Sequence, residues 1–310
     1  MEDPIFIVGL PRSGSTLWQN IIASNPKVLR LAEMHFLNPW HKDFRSFLRK
    51  HVGDLSNDTN VEKMLELIFS KAALTDLHGP FWHFGNIEAL NDPSLQTQIR
   101  RRILDSDRSL ESVFKALIED ITRVSGYDRC CLKFPVYVNH VPELLEWYPK
   151  CKVVHITRDP RAIAVSKTND PGGTAKRIQR HPRLAFALKK VMLLFATIQY
   201  IWTSKLYCKY KGFQNYRLFR YEDLLFEPEK IIKELCDFVG IDFVPEMLAP
   251  QRGNQKGQTS SVTGKKQERI NKEAAYHWKN VISPFDKKVI TMLTRNSMRR
   301  FGYDVATYDL

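Results

Sequence analysis

The sequence predicts an α/β fold of three layers, in which a mostly parallel sheet lies between helices. Three observations lead to this prediction. Short apolar runs alternate along the chain with longer amphipathic stretches. A glycine-containing turn joins the first apolar run to a helical pattern. No internal repeat, low-complexity block or flexible linker divides the 310 residues, so we interpret residues 1–310 as a single domain.

The predicted strands are apolar on consecutive positions, which is typical of strands buried on both faces of a parallel sheet. They span residues 5–8, 28–31, 131–134, 152–156 and 216–219. Helical patterns span residues 17–23, 61–73, 110–124, 141–147, 161–167, 184–211, 228–238 and 284–300. Residues 75–105 and 249–272 look irregular. Because ligands of parallel sheets bind beyond the carboxyl ends of the strands, we expect the functional site there.

The first strand-to-helix connection has the form of an anion-binding loop. Gly9 and Gly14 have the spacing of a Walker A loop, and the helix that follows presents its N-terminal amides. Ser15 stands where that pattern requires lysine, and Arg12 carries the positive charge instead. We interpret the segment as part of a P-loop-like nucleotide-binding core with a cap of helices and loops. The alternative is a tight turn that binds nothing.

The charge balance predicts an anionic partner. The chain has 47 Lys and Arg against 34 Asp and Glu, a formal net charge of +13. Candidates are a nucleotide, an acidic substrate, a nucleic acid or a membrane surface. No nucleic-acid-binding signature accompanies the basic residues, so we do not expect a nucleic acid partner.

Cysteine usage predicts a reducing compartment. The five cysteines are odd in number and form no CxxC or Cys/His zinc pattern. An apolar strand begins within a few residues of Met1, where a signal peptide would otherwise be expected. We therefore predict a cytoplasmic protein.

The most apolar stretch, residues 184–204, predicts a buried helix rather than a membrane span. It contains Lys189 and Lys190, and its uncharged part, residues 191–204, is shorter than the ~20 residues that cross a bilayer.

A second segment, residues 152–166, repeats the pattern of a strand that runs into a helix. The strand ends at Thr157, and Asp159 and Pro160 form a helix start with Asp as the N-cap. Arg158 directly follows the strand. Ser166 lies two turns along the helix, roughly 10 Å from Arg158. A phosphate between them would contact both side chains. In the alternative interpretation, Arg158 pairs with a surface carboxylate and Ser166 is an ordinary helix residue.

Together these segments resemble the sulfotransferase family that uses 3′-phosphoadenosine 5′-phosphosulfate (PAPS). Residues 9–16 resemble its 5′-phosphosulfate loop, and residues 158–166 resemble its 3′-phosphate segment. Residues 221–228 resemble its Tyr-Glu-Asp-Leu stretch, and residues 277–280 and 301–303 also resemble family segments. The resemblance implies that PAPS is bound by Arg12, Ser13, Gly14, Ser15, Thr16, Arg158, Ser166 and Tyr221, the last near the adenine.

The chain departs from the family pattern at one point. The Arg-Lys-Gly triplet that closes over the nucleotide in the cytosolic branch has no clean counterpart. Lys265, Lys266 and Arg269 are the candidates for that role.

Arginine in the first loop is similar to the tyrosylprotein, carbohydrate and bacterial branches of the family. In those branches a glutamate after the first helix serves as the base, which implies Glu33 here, with His35 as the second candidate. Lys133 resembles a lysine that reaches the transferred group. Arg12 and Lys133 would then neutralise charge as magnesium does in kinases, so we expect no metal.

The resemblance implies in-line transfer of a sulfuryl group from PAPS to an acceptor hydroxyl on a small molecule, sugar, lipid or peptide. One alternative is a P-loop kinase or NTPase, which Ser15 disfavours, as does the capping position of Asp159. The other is a non-catalytic nucleotide- or RNA-binding adaptor, which the second phosphate-type segment disfavours.

Overall fold

A parallel five-stranded sheet forms the centre of the fold. The computed structural model describes residues 1–31, 36–37, 43–70, 88–168, 182–250 and 270–305. The strands are β1 (Ile5–Gly9), β2 (Val28–Arg30), β3 (Arg129–Lys133), β4 (Lys152–Thr157) and β5 (Tyr216–Arg220). Their order is β2-β3-β1-β4-β5, and every neighbouring pair is parallel. All five predicted strands are therefore present, with ends within two residues of the prediction.

Helices cover the sheet. The α-helices are α1 (Ser15–Ile22), α2 (Phe44–Phe47), α3 (Asp58–Phe69), α4 (Pro93–Leu104), α5 (Leu110–Val124), α6 (Val141–Trp147), α7 (Pro160–Thr168), α8 (Ala185–Tyr210), α9 (Tyr221–Phe226), α10 (Pro228–Val239) and α11 (Pro284–Arg300). A π-helical turn, Leu48–Val52, continues α2. Short 3-10 turns span Glu88–Asn91, Pro135–His140, Pro182–Leu184, Pro245–Leu248, Lys272–Ala275 and His277–Asn280.

Alternate residues of β1 face two separate apolar cores. Phe6 and Val8 pack into a core that α3 to α6 complete, while Ile5 and Ile7 pack into a core that α1, α9 and α10 complete. This alternation follows from the period of two along a strand. The predicted three-layer α/β fold is therefore confirmed.

The order of the strands places a crevice beside β1. The chain leaves β1 for the sheet edge at β2, returns to pair β3 with β1, and then adds β4 and β5 on the other side. Successive connections diverge on either side of β1. A parallel sheet binds ligands at such a switch point, beyond the carboxyl ends of its strands.

Part of the region that we predicted as irregular is helical. The α4 helix begins with Asp92, whose Oδ1 accepts a 2.8 Å hydrogen bond from the Ser94 amide, and with Pro93 in the first turn. Leu95, Ile99 and Ile103 recur every four residues and are buried against the larger core. The prediction of an irregular 75–105 is therefore wrong for residues 93–104, whereas residues 71–87 lie outside the described residues.

The long helix α8 is only half-buried, so the prediction of a buried helix is wrong for one of its faces. Leu193, Ala196 and Tyr200 are buried, whereas Leu194 and Ile198 are about half exposed. By length and composition alone α8 could cross a membrane, with a mean hydropathy of 1.3 over its most apolar 18 residues, of which 22% are buried.

Candidate functional site

The loop between β1 and α1 has the backbone geometry of a tight anion-binding turn. Gly9 has φ +143°, and a Cβ there would lie 2.3 Å from the carbonyl oxygen of Ile156. Gly14 has φ +92°, and a Cβ there would lie 2.4 Å from the Tyr221 ring. Both positions therefore require glycine. Between them Arg12 has φ +78°, a left-handed conformation that is costly for a side chain of its size.

The same loop contains several hydrogen-bond donors that can bind an anion. Gly14 is the N-cap of α1, so the amides of Ser15 and Thr16 open the helix without intrahelical carbonyl partners. Ser13 is fully buried, and its Oγ has no hydrogen-bond partner among the described residues. A buried hydroxyl in that situation is stabilised when an anion accepts from it. The loop therefore fits a phosphate-type group.

Arg12 and Ser166 are in direct contact. The Nε of Arg12 donates a 3.0 Å hydrogen bond to the Oγ of Ser166, which lies on α7. The first loop and the helix after β4, which the sequence predicts as two anion-binding elements, therefore share one site. Their side chains come together because β1 and β4 are neighbours in register, with Gly9 beside Ile156.

Arg158 also contacts the first loop. Its Nη1 is 3.5 Å from the Arg12 carbonyl oxygen, and its Nη2 donates a 2.9 Å hydrogen bond to the Ala274 carbonyl. The guanidinium lies over the Tyr221 ring, 4.4 Å from the ring centroid, in a cation–π contact. Among the described residues Arg158 contacts no carboxylate, contrary to the alternative in which it forms a surface ion pair.

The Nε of Arg158 is buried and has no hydrogen-bond partner among the described residues. A guanidinium that carries such a donor can still bind one more acceptor.

Lys133 ends β3 on the opposite flank of β1. Its Nζ donates a 3.1 Å hydrogen bond to the Oγ1 of Thr16, in the first turn of α1. Two cations, Arg12 and Lys133, therefore lie on either side of the start of α1. A negatively charged group held at the α1 amides would lie between them.

The structure adds Lys167, which the sequence analysis does not single out. It follows Ser166 on α7, is buried, and donates a hydrogen bond to the Oε1 of Gln199 on α8. Burial first, and the charge of Arg12 second, lower the pKa of Lys167 to about 8. In the sequence, only its position directly after Ser166 indicates that Lys167 belongs to the site.

A buried network of charged groups lies next to the residues of the site. Asp159 accepts hydrogen bonds from the Arg161 amide at 2.8 Å and from the Arg161 guanidinium, which confirms Asp159 as a helix cap. The Arg161 guanidinium also lies over the Trp278 ring, 4.4 Å from its centroid.

Glu222 belongs to the same network. One of its oxygens accepts a 2.9 Å hydrogen bond from the Asp159 amide, and the other accepts a 2.7 Å hydrogen bond from the Tyr303 hydroxyl. Burial first, and the nearby Asp159 carboxylate second, raise the pKa of Glu222 to about 7. Because Asp159 follows Arg158 and Glu222 follows Tyr221, this network fixes the backbone that carries both ligand-facing side chains.

Five predicted site residues lie outside the described residues. They are the base candidates Glu33 and His35 and the candidates for closing over the nucleotide, Lys265, Lys266 and Arg269. Of the other predicted residues, the structure brings Arg12, Ser13, Gly14, Ser15, Thr16, Lys133, Arg158, Ser166 and Tyr221 together at the carboxyl ends of β1, β3, β4 and β5.

This geometry suits a ligand with two separate phosphate-type groups. The α1 amides with Arg12 and Lys133 form one group of donors, and the buried Nε of Arg158, next to the Arg12 carbonyl, offers a second. Lys167, the residue after Ser166, adds positive charge. The Tyr221 ring, packed against Gly14 and under Arg158, offers an aromatic surface between these elements.

Comparisons with known proteins show the family of the chain. The chain matches the family described as "Sulfotransferase family" over residues 4–245. It is similar to an uncharacterized protein of Aquifex aeolicus (strain VF5), with 23% identity over 260 residues that make up 84% of this chain. The matched part is 28% of that relative, so this chain spans well under half of its length.

Solved structures share the fold. The sulfotransferase domain from the curacin biosynthetic pathway aligns with a TM-score of 0.59 and 19% identity, over 98% of this chain and 99% of that domain. The mouse sulfotransferase SULT7A1, solved in complex with PAP, aligns with a TM-score of 0.50 and 14% identity, over 96% of this chain and 84% of its own. With the family match covering most of the sequence, the resemblance of the motifs is confirmed: the chain belongs to the sulfotransferase family.

Proposed function

We propose that this protein transfers a sulfuryl group from PAPS to the hydroxyl of an acceptor. The observation that carries the proposal is the direct contact between the two anion-binding elements, through Arg12 and Ser166. A nucleotide with phosphate groups at both its 5′ and 3′ positions needs two such elements side by side. The complex of the mouse relative with PAP, the nucleotide product of PAPS, supports the same ligand here.

In this proposal the first loop binds the 5′ end of the cosubstrate. The amides at the start of α1 and the hydroxyls of Ser13, Ser15 and Thr16 donate to the 5′-phosphate. That phosphate gains charge as the bond to sulfur breaks, and donors that are already oriented stabilise it without reorganisation. Arg158 and Ser166 bind the 3′-phosphate, and Tyr221 packs near the adenine.

Arg12 and Lys133 have the catalytic roles. The planar guanidinium of Arg12 offers two parallel donors to oxygens of the transferred group, and Lys133 adds a point charge from the β3 side. PAPS supplies the activated sulfuryl group when it is bound. Glu33 is the proposed general base for the acceptor hydroxyl, with His35 as the second candidate, and Lys265 and Arg269 are proposed to close over the nucleotide. We also propose a cytoplasmic location and a small-molecule, sugar, lipid or peptide acceptor.

Thermal unfolding of the full chain tests the cosubstrate. We expect adenosine 3′,5′-bisphosphate (PAP) to raise Tm by about 5 °C at a hundredfold excess over its Kd, and adenosine 5′-phosphate to raise it much less. The difference should disappear in Arg158→Ala. Arg101→Ala is the matched control, because the Arg101 side chain is 85% exposed on α4 and should leave the difference intact.

Two results would reject the proposal. Stabilisation by ATP with Mg²⁺ and none by PAP would favour a kinase or NTPase. Indifference to both nucleotides together with affinity for RNA would favour a non-catalytic adaptor.

A further inference from the structure

One face of α8 exposes a row of large apolar side chains. Val191, Leu194, Ile198 and Trp202 are 61%, 51%, 55% and 51% exposed, respectively. Their spacing of three and four residues places them on one side of the helix. Scattered apolar residues on a protein surface are ordinary, but a continuous row along more than three helical turns is not.

The opposite face of α8 is fixed in the domain. The Oγ of Ser204 donates a 2.9 Å hydrogen bond to the Oγ of Ser297 on α11, and Gln199 accepts a hydrogen bond from Lys167 on α7. Leu193, Ala196 and Tyr200 are buried on that side. The helix cannot rotate its outer row inward without losing these contacts. A helix that is apolar on both sides is normally covered on both sides.

Two further phenylalanines are exposed near the N-terminal end of α8 but lie outside the row, since Phe186 is seven residues before the buried Leu193 and shares its side of the helix. Phe186 on α8 is 75% exposed and Phe285 on α11 is 69% exposed. The Nζ of Lys190 lies between them, 5.2 Å from one ring centroid and 5.5 Å from the other. We define the outer face as Val191, Leu194, Ile198 and Trp202. At on the order of 100 Å² per half-exposed large side chain, it falls within the ~300–600 Å² of the largest patch on a typical monomer, a size that is often functional.

The charged side chains of α8 itself are all positive. The 26 residues of α8 include four lysines, Lys189, Lys190, Lys205 and Lys209, and no Asp or Glu. In α11 the one carboxylate, Asp286, is 2.5 Å from the Nζ of Lys190, so it is already paired. The charge of α8 is therefore complementary to an anionic partner.

This charge argues against a second copy of the chain on the outer face. A two-fold pairing of α8 with itself would bring the lysines of one copy close to those of the other, and like charges there are unfavourable. An anionic bilayer reverses the sign of that interaction. Each lysine near such a surface adds electrostatic attraction.

We propose that the outer face binds the surface of an anionic lipid bilayer, with α8 lying in the interface plane. Its apolar side chains would enter the boundary between headgroups and acyl chains, as in interfacial helices. Lys205 and Lys209, which continue the row, would extend to the lipid phosphates. Phe195, next to this face, has its ring centroid 5.5 Å from the Nζ of Lys167, so the bound bilayer would lie beside the candidate site.

Vesicle flotation of the full chain tests the proposal. We expect binding to vesicles of phosphatidylcholine with phosphatidylglycerol, weak binding to phosphatidylcholine alone, and loss of binding as the salt concentration rises. The double substitution Leu194→Ser and Ile198→Ser should lower the partition coefficient at least tenfold, because two large apolar side chains lose their burial. Val124→Ser is the matched control, since Val124 is 43% exposed at the end of α5.

Fluorescence with brominated lipids gives an independent readout of orientation. Trp202 should be quenched by the anionic vesicles, and Trp202→Phe should remove that part of the quenching. Circular dichroism and Tm confirm that each variant is folded.

Three outcomes would overturn the proposal. The first is no flotation with anionic vesicles at low salt. The second is binding that the double substitution leaves unchanged, which would assign it to scattered basic residues. The third is a dimer in solution that Leu194→Ser and Ile198→Ser dissociate, which would make the outer face a contact between copies of the chain.

Discussion

The Nε of Arg12 donates a hydrogen bond to the Oγ of Ser166 across 154 residues of sequence. This bond connects the loop after β1 with the helix after β4. It also fixes the direction of the Arg12 guanidinium by a contact outside its own loop. Two elements that the sequence presents as separate binding points for anions are therefore parts of one site.

Replacing Arg12 by alanine should abolish sulfuryl transfer and weaken the binding of PAP without eliminating it. The reason is that the loop amides and Arg158 remain, whereas the proposed stabilisation of the transferred group is lost. Arg12→Lys keeps the charge but not the paired donors, so we expect kcat at least tenfold below the wild-type value. The measurement is transfer from radiolabelled PAPS over a panel of acceptors, with Arg101→Ala as control. Undiminished turnover in Arg12→Ala would contradict the assigned role.

Gly14→Ala should destabilise the protein by more than an ordinary glycine substitution. A Cβ there meets the Tyr221 ring at 2.4 Å and also has to accept φ +92°. Gly126→Ala separates the two effects, because Gly126 has φ +77° and nothing within 4 Å of a Cβ. We expect a loss of about 1 kcal/mol in unfolding free energy for Gly126→Ala and about 3 kcal/mol for Gly14→Ala.

Urea unfolding measures both losses. Adding Tyr221→Ala to Gly14→Ala should recover part of the additional loss in unfolding free energy. The second substitution removes the clash between the new Cβ and the Tyr221 ring, while the cost of the positive φ at residue 14 stays. Equal losses in the two glycine variants would mean that Tyr221 moves aside freely.

The affinity for PAP should fall as the pH rises through about 8. The pKa of Lys167 is lowered from 10.5 to about 8, so the side chain loses its charge in that range. A bound anion favours the charged form and raises this pKa, which means that binding takes up a proton near pH 8. Calorimetry in two buffers of different ionisation enthalpy measures this uptake.

Lys167→Met should bind PAP more weakly at pH 7 and with a flatter dependence on pH between 7 and 9. Lys205→Met is the control, because Lys205 is exposed on α8. A pH dependence unchanged in Lys167→Met would assign the proton to another group.

The titration of Glu222 should lower the free energy of unfolding as the pH rises from about 4.5 to about 7. Its pKa is raised in the native state, so the native protein binds more protons than the unfolded chain within this window. The free energy of unfolding therefore decreases with pH there, by up to about 3 kcal/mol. Glu222→Gln keeps a carbonyl oxygen for the Asp159 amide and cannot ionise.

Guanidinium unfolding at pH 5 and pH 8 checks this. Relative to the wild type, Glu222→Gln should be more stable at pH 8 than it is at pH 5. A constant difference between the two proteins at both pH values would exclude titration of Glu222 in this range.

Much of the site can be predicted because each element combines an apolar strand with a polar residue at its carboxyl end. Lys133, Arg158 and Tyr221 each end or follow a strand, and parallel strands bring those ends to the same edge of the sheet. The sequence therefore indicates which residues meet, although the strands are far apart along the chain.

The rest depends on packing that a sequence pattern does not express. Lys167 becomes part of the site because α7 packs against α8, which buries the lysine beside Arg12. Likewise, Arg161 is fully buried only because α11 and Trp278 cover it. The apolar composition of α8 predicts burial, but it does not say that one face is left uncovered.

The left-handed backbone at Arg12 has a consequence for engineering. Glycine would adopt φ +78° at no steric cost, so Arg12→Gly should relax the turn. A selection for heat resistance would tend to accept that exchange and would produce a robust but inactive protein. Arg12 thus has an unfavourable backbone conformation, and it is also the residue that a screen for activity must retain.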